Sequence, residues 1–578
     1  MKNIVISQLF GQMADIMEIL GDDRFRINSY RKVGRIISDI PSDVETMLAA
    51  GQLEKIPGLG RSSLAKIQEF VKTGKITAHQ QLLAKIPPTL LELLTIPGMG
   101  PKGVKVVYEK LKVTKIGELK KAIESGSVAQ LSGFGEKKAA AIARGINFLE
   151  KSTGRIRIDQ AGAAADIVSN FLSSIGGIQN IQTAGSLRRY AETIGDVDIL
   201  VASKKGEEII QSFTEAPFVQ EVIAAGPTKG SAMIDAEAAP VHVDVRVVPK
   251  ESFGAAAQYF TGSKQHNVRL REIAVKAKLK LNEYGLFKED KILAGPIEEE
   301  IYQKLGLDYI NPLLREDRGE VEAAKINSLP SVIKLNDIKG DLHVHTNASD
   351  GNCSISAIAE AAKTLGYKYI CITDHSQSST IANGLSPKRL VNQIKQIRKL
   401  DEQIKGITIL AGAEVDILAD SSMDFDNKLL CDLDFVIAAI HSGLASSRKK
   451  VTKRTLKAMD NPFVNCIAHP TGRLIGQREP MDIDIAAVIK HAAETSTALE
   501  INANPWRLDL KDIHCRMAID AKVKLEIGTD AHSIEGLALM KYGVATATRG
   551  WATKENILNT FSTAKIKSWV AKKRKALS

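Results

Sequence analysis

From residue 337 onward, short apolar runs alternate with segments of helical length: "DLHVHT", "YICITDH", "ITILAGAEVD", "FVIAAIHS", "VNCIAHP", "ALEINANP" and "LEIGTDAHS". Unbroken apolar runs of this length suit strands buried on both faces. Seven such strand–helix units predict a distorted (β/α)7 barrel over residues 337–570. Residues 1–150 instead predict short helices with few aromatic residues. From about 155, strands such as "IQTAGSLRR", "GDVDILVAS" and "APVHVDVRVVP" lie between helices, an α+β layer to about 250, and a mixed region follows over 251–318. The charged stretch over 319–336 loses apolar periodicity and reads as a linker. Residues 571–578 read as a basic tail, either solvated or in loose contact with nucleic acid.

A chain of 578 residues is too long for one core. With 44% hydrophobic and 25% charged residues it has the composition of a globular protein, and no run of eighteen apolar residues occurs. The N-terminus lacks the basic flank and cleavage site of a signal peptide, so a cytoplasmic location is expected. Cys353, Cys371, Cys431, Cys466 and Cys515 are scattered, which argues against disulfides and zinc fingers. The net charge of +11 is unevenly placed: residues 1–160 hold 25 Lys and Arg against 16 Asp and Glu. A basic excess in one segment suits a polyanion.

Within that basic segment one pattern recurs: "IPGLGRSSLAKIQEF", "IPGMGPKGVKVVYEKL" and "LSGFGEKKAAAIARGI". In each, Gly-x-Gly (Gly58 and Gly60, Gly98 and Gly100, Gly133 and Gly135) precedes a helix with a basic residue near its start. The glycines allow a tight turn, and the helix N-terminus offers free N–H groups to an anion. Three copies resemble helix-hairpin-helix elements, which grip the DNA backbone without reading sequence. Two such regions are expected, over 1–80 and 81–150.

The stretch "GDVDILVA" puts Asp196 and Asp198 on one strand face, and in "VHVDVRVVP" Asp244 alternates with valines on a second strand. Three converging carboxylates repel one another unless cations sit between them, and hard oxygen ligands point to two Mg²⁺ or Mn²⁺ ions and phosphoryl transfer. A lone D-x-D is as readily a solvated strand edge. Here "GS", D-x-D and a third strand Asp come in order, followed by "YFTGSKQHNVRLREIA" and "NEY". The series resembles the nucleotidyltransferase superfamily and, within it, family X DNA polymerases of the DNA polymerase beta type, over about residues 1–318.

That resemblance implies a palm over 151–250 and a nucleotide-selection subdomain over 251–318. It implies that Asp196, Asp198 and Asp244 hold two metals, with Asp244 accepting the primer hydroxyl proton. Ser186, Arg189 and Gly195 would contact the triphosphate; Tyr259 and Phe260 would lie under the sugar; Gly262 would belong to the nucleotide site; Asn267 and Arg271 would meet the nascent base pair and template. Ile194 and Lys264 depart from the family pattern at a phosphate-contacting Ser and at an Asp beside the incoming base. Lys66, with Tyr30 near it, matches the Schiff-base lysine of relatives that remove a 5′-deoxyribose phosphate; a phosphate-contacting cation is the alternative.

The barrel carries its own set. His343, His345, Asp350, His375, Glu414, His441, His469, Asp530 and His532 follow successive strands, and strand C-termini share one barrel face. Six imidazoles with three acids as plain structural residues would leave buried donors and acceptors unpaired, and nine ligands exceed one metal's usual coordination, so a cluster of two or three ions is expected. Histidine and carboxylate without cysteine suit Zn²⁺, Mn²⁺ or Fe²⁺. The series resembles the PHP (polymerase and histidinol phosphatase) domain, whose complete ligand sets accompany Mn²⁺- or Zn²⁺-dependent phosphoesterase activity. Arg473 either holds a substrate phosphate or lies on the surface.

Together the resemblances imply a monomeric repair polymerase acting on gapped or primer–template DNA with dNTPs. Joined to it would be a 3′→5′ exonuclease that also processes 3′ ends or abasic sites, with no membrane contact. The alternatives are a tethered small-molecule phosphatase and a non-catalytic DNA-binding scaffold.

Overall fold

The computed structural model describes residues 2–39, 44–49, 51–56, 58–96, 98–152, 155–236 and 240–577. The chain forms two compact units.

The N-terminal unit is helical, as its periodicity predicts. Long helices Lys2–Leu20 and Arg24–Asp39 pack with Arg61–Thr73 around Ile6, Phe10, Val33, Ile37, Leu64 and Ile67. A second cluster, with Leu90, Val104, Val107, Leu119, Phe134 and Ile142, joins Pro101–Leu111, Ile116–Glu124 and Gly135–Ser152. Gly58 and Gly98 make the first two hairpin turns at φ 98° and 89°, a region other residues rarely enter. Gly60 and Gly100 then cap the following helices in extended conformation. A side chain at either capping glycine would meet nothing within 4 Å, so the helix ends stay open. The prolines of these two motifs, residues 57 and 97, lie outside the described residues. The third hairpin differs: Gly135, at φ 65°, is itself the first residue of its helix.

The second unit begins with a five-stranded sheet in the order Asn180–Thr183, Val197–Ala202, Pro240–Val248, Lys229–Asp235, Val219–Ala225. Its second and third strands are parallel and in register, Val197 with Val243 and Asp198 with Asp244. Alternation in "VHVDVRVV" buries the valines against helix Ile158–Ser173 and leaves His242, Asp244 and Arg246 on the other face. A helical subdomain with a small antiparallel sheet follows, its core holding Leu270, Leu286, Ile301, Tyr302 and Leu314.

The expected linker over 319–336 is folded. Helix Glu320–Lys325 buries Val321 and Ala324 in that same core, and the Glu320 carboxylate accepts from His266 Nδ1 at 2.8 Å. Six residues are too few to show a helical period, which is why the segment reads as irregular.

Seven parallel strands then run in sequence order from Gly340–Val344 to Leu525–Gly528. The ends nearly close: His345 N–H donates to Ala531 O at 2.9 Å and Asp530 N–H to His343 O at 3.0 Å. The expected basic tail is also structured. Helix Thr563–Leu577 buries Lys573, whose ammonium donates to Thr497 Oγ1. Among the described residues no helix is long and apolar enough to cross a membrane.

Two candidate metal centres

In the palm, Asp196, Asp198 and Asp244 offer carboxylate oxygens that all lie within 4.8 Å of one another. The parallel register places Asp198 beside Asp244, and Asp196 comes two residues before Asp198. Burial, then repulsion from Asp196 and Asp244, pushes the Asp198 carboxyl up to about 7. Asp244 behaves oppposite to its neighbour. Burial would raise it, but Lys229 Nζ at 2.6 Å and Ser231 Oγ at 2.5 Å hold it below the usual carboxylate range. Lys229 is thus the cation nearest these acids, and sequence reading missed it because it arrives from the adjoining antiparallel strand. A group of carboxylates that must be neutralised by a lysine or by protonation fits divalent cations.

Gly185, at φ 60°, opens the short helix Gly185–Arg188, and a Cβ there would collide with the Asp198 carboxylate. This brings Ser186 next to the triad. Arg189 is tied to Glu316 Oε1 at 3.1 Å and to Thr261 O at 2.5 Å. Gly195 leads directly into Asp196. Tyr259 and Phe260 meet edge to face at 5.1 Å, with Arg246 over the Phe260 ring at 4.4 Å. Gly262, at φ 71°, ends that helix, and Asn267 Nδ2 donates to Tyr259 O at 2.7 Å. Arg271 is exposed on the next helix. In the N-terminal unit, Lys66 Nζ lies 2.8 Å from Ser62 Oγ and 5.6 Å from the centre of the Tyr30 ring.

The barrel gathers all nine expected groups. Three sets have ligand atoms within 4.8 Å of one another: His345, Asp350, His375 and His532; His343, His345 and Asp530; His375, Glu414 and His441. Glu414 sits between its neighbours, 2.9 Å from His375 Nδ1 and, through its other oxygen, 2.9 Å from His469 Nε2. His343 Nε2 and His345 Nε2 approach to 3.1 Å, and His345 Nε2 lies 3.1 Å from Asp530 Oδ1. His345 stacks on His375 and on His532, each with ring centres 4.4 Å apart.

Burial works against charge on these imidazoles, yet the facing carboxylates raise His375 to about 11 and His441 and His532 to about 9. His345 and His469 go down, to about 4 and about 3, through burial and neighbouring cations. Protons on imidazole therefore balance Glu414, Asp350 and Asp530. Glu414 Oε2 and His345 Nδ1 remain buried without a hydrogen bond. Orphaned ligand atoms amid clustered imidazoles and carboxylates fit a multinuclear cation site.

Further acids orient the ligands. His343 Nδ1 pairs with Glu500 Oε1 at 2.5 Å, and His441 Nδ1 with Asp416 Oδ1 at 3.0 Å. Asp416 was detectable as the same-face residue two beyond Glu414; Glu500 lies on a strand whose unbroken burial hides which face it uses. Arg473 holds neither role considered for it. It is buried and donates to Arg507 O, Leu508 O and Glu192 Oε2 at 2.7, 2.5 and 2.7 Å. Arg507 is the arginine beside the cluster, its Nε 3.6 Å from Asp530 Oδ2.

Family models match in the same order as these parts: a helix-hairpin-helix domain over residues 1–76, a SAM-like helix-hairpin-helix tandem over 90–147, the DNA polymerase beta thumb over 256–316 and the PHP domain over 341–504. Such a chain is an enzyme joining a polymerase-type half to a phosphoesterase-type half. It is 38% identical over 567 residues to the DNA polymerase/3′-5′ exonuclease PolX of Bacillus subtilis (strain 168), covering 98% of both chains. The chain belongs to the family X DNA polymerases that carry a C-terminal PHP domain. DNA polymerase lambda of Arabidopsis thaliana is 24% identical over 342 residues, 53% of this chain and 61% of that one. A protein named as a probable phosphatase, from Thermoanaerobacter sp. (strain X514), is 28% identical over 248 residues, 41% of this chain and 96% of that one.

Proposed function

We propose that this chain fills short gaps in DNA by template-directed nucleotide addition at the palm and removes nucleotides from 3′ ends at the barrel. The observation that carries this reading is the presence, in one chain, of two separate clusters of groups able to hold cations, the three aspartates and the imidazole–carboxylate groups of the barrel. Two Mg²⁺ or Mn²⁺ ions at the aspartates, and a Mn²⁺ or Zn²⁺ cluster at the barrel, would supply charge neutralisation at phosphorus and acidification of the attacking oxygen.

The protein groups do the rest. Asp196, Asp198 and Asp244 would bind the first pair of ions, and Asp244 would take the proton from the primer 3′ hydroxyl. Lys229 must then release Asp244 from its 2.6 Å ion pair. Ser186 and the helix start at Gly185 would bind triphosphate oxygens through hydroxyl and N–H groups, and Arg189 would add charge. The Tyr259–Phe260 pair would lie under the sugar and exclude a 2′ hydroxyl, with Gly262, Asn267 and Arg271 bordering the base pair. The open helix starts at Gly60 and Gly100, with the Gly133–Gly135 turn, would hold DNA phosphates. Lys66 would either contact a 5′ phosphate or attack a deoxyribose phosphate. In the barrel, the nine ligands would hold the second set of ions, and Arg507 would orient the phosphodiester. Trimming of blocked or abasic 3′ ends falls within the same chemistry.

The likeness to phosphatases makes small phosphomonoesters the second reading for the barrel. Hydrolysis of a recessed primer 3′ end is compared with that of a generic phosphomonoester. Preference for the primer is expected; preference for the monoester would reverse the assignment.

A further inference from the structure

One barrel arginine reaches into the polymerase half. Arg549 ends the helix Met540–Arg549 and is almost fully buried. Its Nη1 donates to the Arg189 carbonyl at 2.6 Å and to Glu316 Oε1 at 2.8 Å. The same Glu316 oxygen accepts from Arg189 Nε at 3.1 Å. The rest of the Arg549 fork is held by Asp512 Oδ2, 3.0 Å from Nε and 2.8 Å from Nη2. Asp512 is fixed in turn by Arg318 at 3.0 Å. Arg549 thus grips Arg189 twice, directly at the backbone and through Glu316 at the guanidinium.

Arg189 closes the short helix that carries Ser186, and the segment after it runs straight to Asp196. The barrel touches that segment again at two residues. The rings of Tyr190 and Tyr542 are 6.4 Å apart, and Glu192 pairs with Arg473 at 2.7 Å. Leu187 and Ile194, which flank it, share an apolar cluster with the barrel's Ile475, Leu508 and Tyr542. The polymerase half holds the far end of the segment, where Arg155 donates to Thr193 and Ile156–Arg157 pairs with Thr193–Ile194, and it gives the Arg189 guanidinium Glu316 and the Thr261 carbonyl as partners; the Arg189 carbonyl is held by Arg549.

We propose that Arg549 is a positioning residue for nucleotide addition, contributed by the phosphoesterase half: it sets the place of Arg189 and of the turn that receives the triphosphate. The inference rests on the reading of Arg189 as a triphosphate contact. A planar fork is needed, because one group must serve a carbonyl and two carboxylates at once, which a lysine ammonium at that distance does not do.

The test is steady-state kinetics of the full-length protein on a gapped primer–template. Arg549→Gln is expected to raise KM for the incoming dNTP about tenfold, the scale of one lost charge-assisted hydrogen bond. The KM for primer and the rate of 3′-end excision stay unchanged. Arg549→Lys recovers little of the loss. Because the route passes partly through Glu316, Arg549→Gln combined with Glu316→Gln costs less than the product of the two single effects. An unchanged dNTP KM in folded Arg549→Gln overturns the proposal, as does an equal fall in both activities, which marks a merely structural contact. Wild-type protein that adds no nucleotide would overturn the palm reading and this inference together; normal wild-type addition with an unaffected variant overturns this inference alone.

Discussion

Asp198 and Asp244 are register partners on adjacent parallel strands, yet their carboxyls shift in opposite directions: burial and its acidic neighbours push Asp198 up to about 7, while Lys229 and Ser231 hold Asp244 down against its burial. The pair shares one neutralising problem, and a divalent ion between them would solve it for both. Asp198→Asn removes a ligand oxygen from the middle of the triad, so nucleotide addition is expected to fall by about 10³-fold or more, the scale of lost electrostatic preorganisation. Excision of 3′ ends should be untouched. Primer extension and primer degradation, followed on the same labelled strand, check both halves; His343→Ala should give the converse pattern.

Glu500 acts on the other centre without belonging to it. Its carboxylate fixes the tautomer and ring direction of His343 through Nδ1, and its second oxygen accepts from the His469 N–H at 2.5 Å. Glu500→Gln keeps the volume but weakens both orientations. Excision or metal affinity is expected to drop about 10- to 100-fold, the range for partners behind metal-bound histidines. Polymerisation at normal rates in the same variant would show that the protein remains folded.

Much of both centres was legible in the sequence because the relevant patterns are local. Period-two alternation shows which face carries Asp196, Asp198 and Asp244, and repeated strand ends gather the barrel's imidazoles and carboxylates at one rim. What escaped depends on pairing between distant segments. Glu298 with Arg315, Glu316 with Arg549 and Glu500 with His343 leave no mark in either segment alone. From "HPTG" Arg473 reads as a phosphate contact or a surface residue, but the carbonyls of Arg507 and Leu508, far along the chain, capture it in the interior. The stretch over 319–336 reads as a linker because its buried apolar residues, Val321, Ala323, Ala324 and Ile333, are too few and too unevenly spaced to show a period, and the burial of Glu320 depends on distant His266.

Glu298 illustrates such a hidden pairing in stability terms. It is nearly buried and accepts from Arg188 Nη2 at 2.7 Å, Arg315 Nη1 at 2.5 Å and Tyr309 Oη at 3.1 Å. Arg315 has no exposed surface, so Glu298→Gln leaves a buried charge uncompensated, costing about 3–5 kcal/mol. Burial would raise the carboxyl, but Arg315 and Arg188 bring it down to about 2. A depressed carboxylate stabilises the fold above its ordinary value of 4.5, and that stabilisation is lost as pH falls from 4.5 toward 2. Urea denaturation at pH 7 and at pH 4 should show the wild type losing stability on acidification, with a smaller loss in the variant.

The imidazoles of the barrel make metal binding a proton-release reaction. Without ions, His375 is raised to about 11 and His441 and His532 to about 9, all by facing carboxylates against the effect of burial. Each must be neutral to bind a cation. Calorimetric titration of Mn²⁺ or Zn²⁺ into chelator-treated Asp198→Asn protein at pH 8, in buffers of different ionisation heat, should therefore report release of more than one proton. Affinity should rise with pH through about 9, where His441 and His532 lose their protons, and on toward about 11 for His375. The sign for stability is the reverse. Raised histidines stabilise the metal-free fold fully below their ordinary value of 6.5, and this is lost as pH climbs through about 9 to 11. Metal-free protein should thus melt at lower temperature at pH 10 than at pH 7, while metal-loaded protein changes less, because the ions and not the protons then balance Glu414, Asp350 and Asp530. Buffer-independent binding heats would show that the imidazoles are already neutral and that another cation balances those acids.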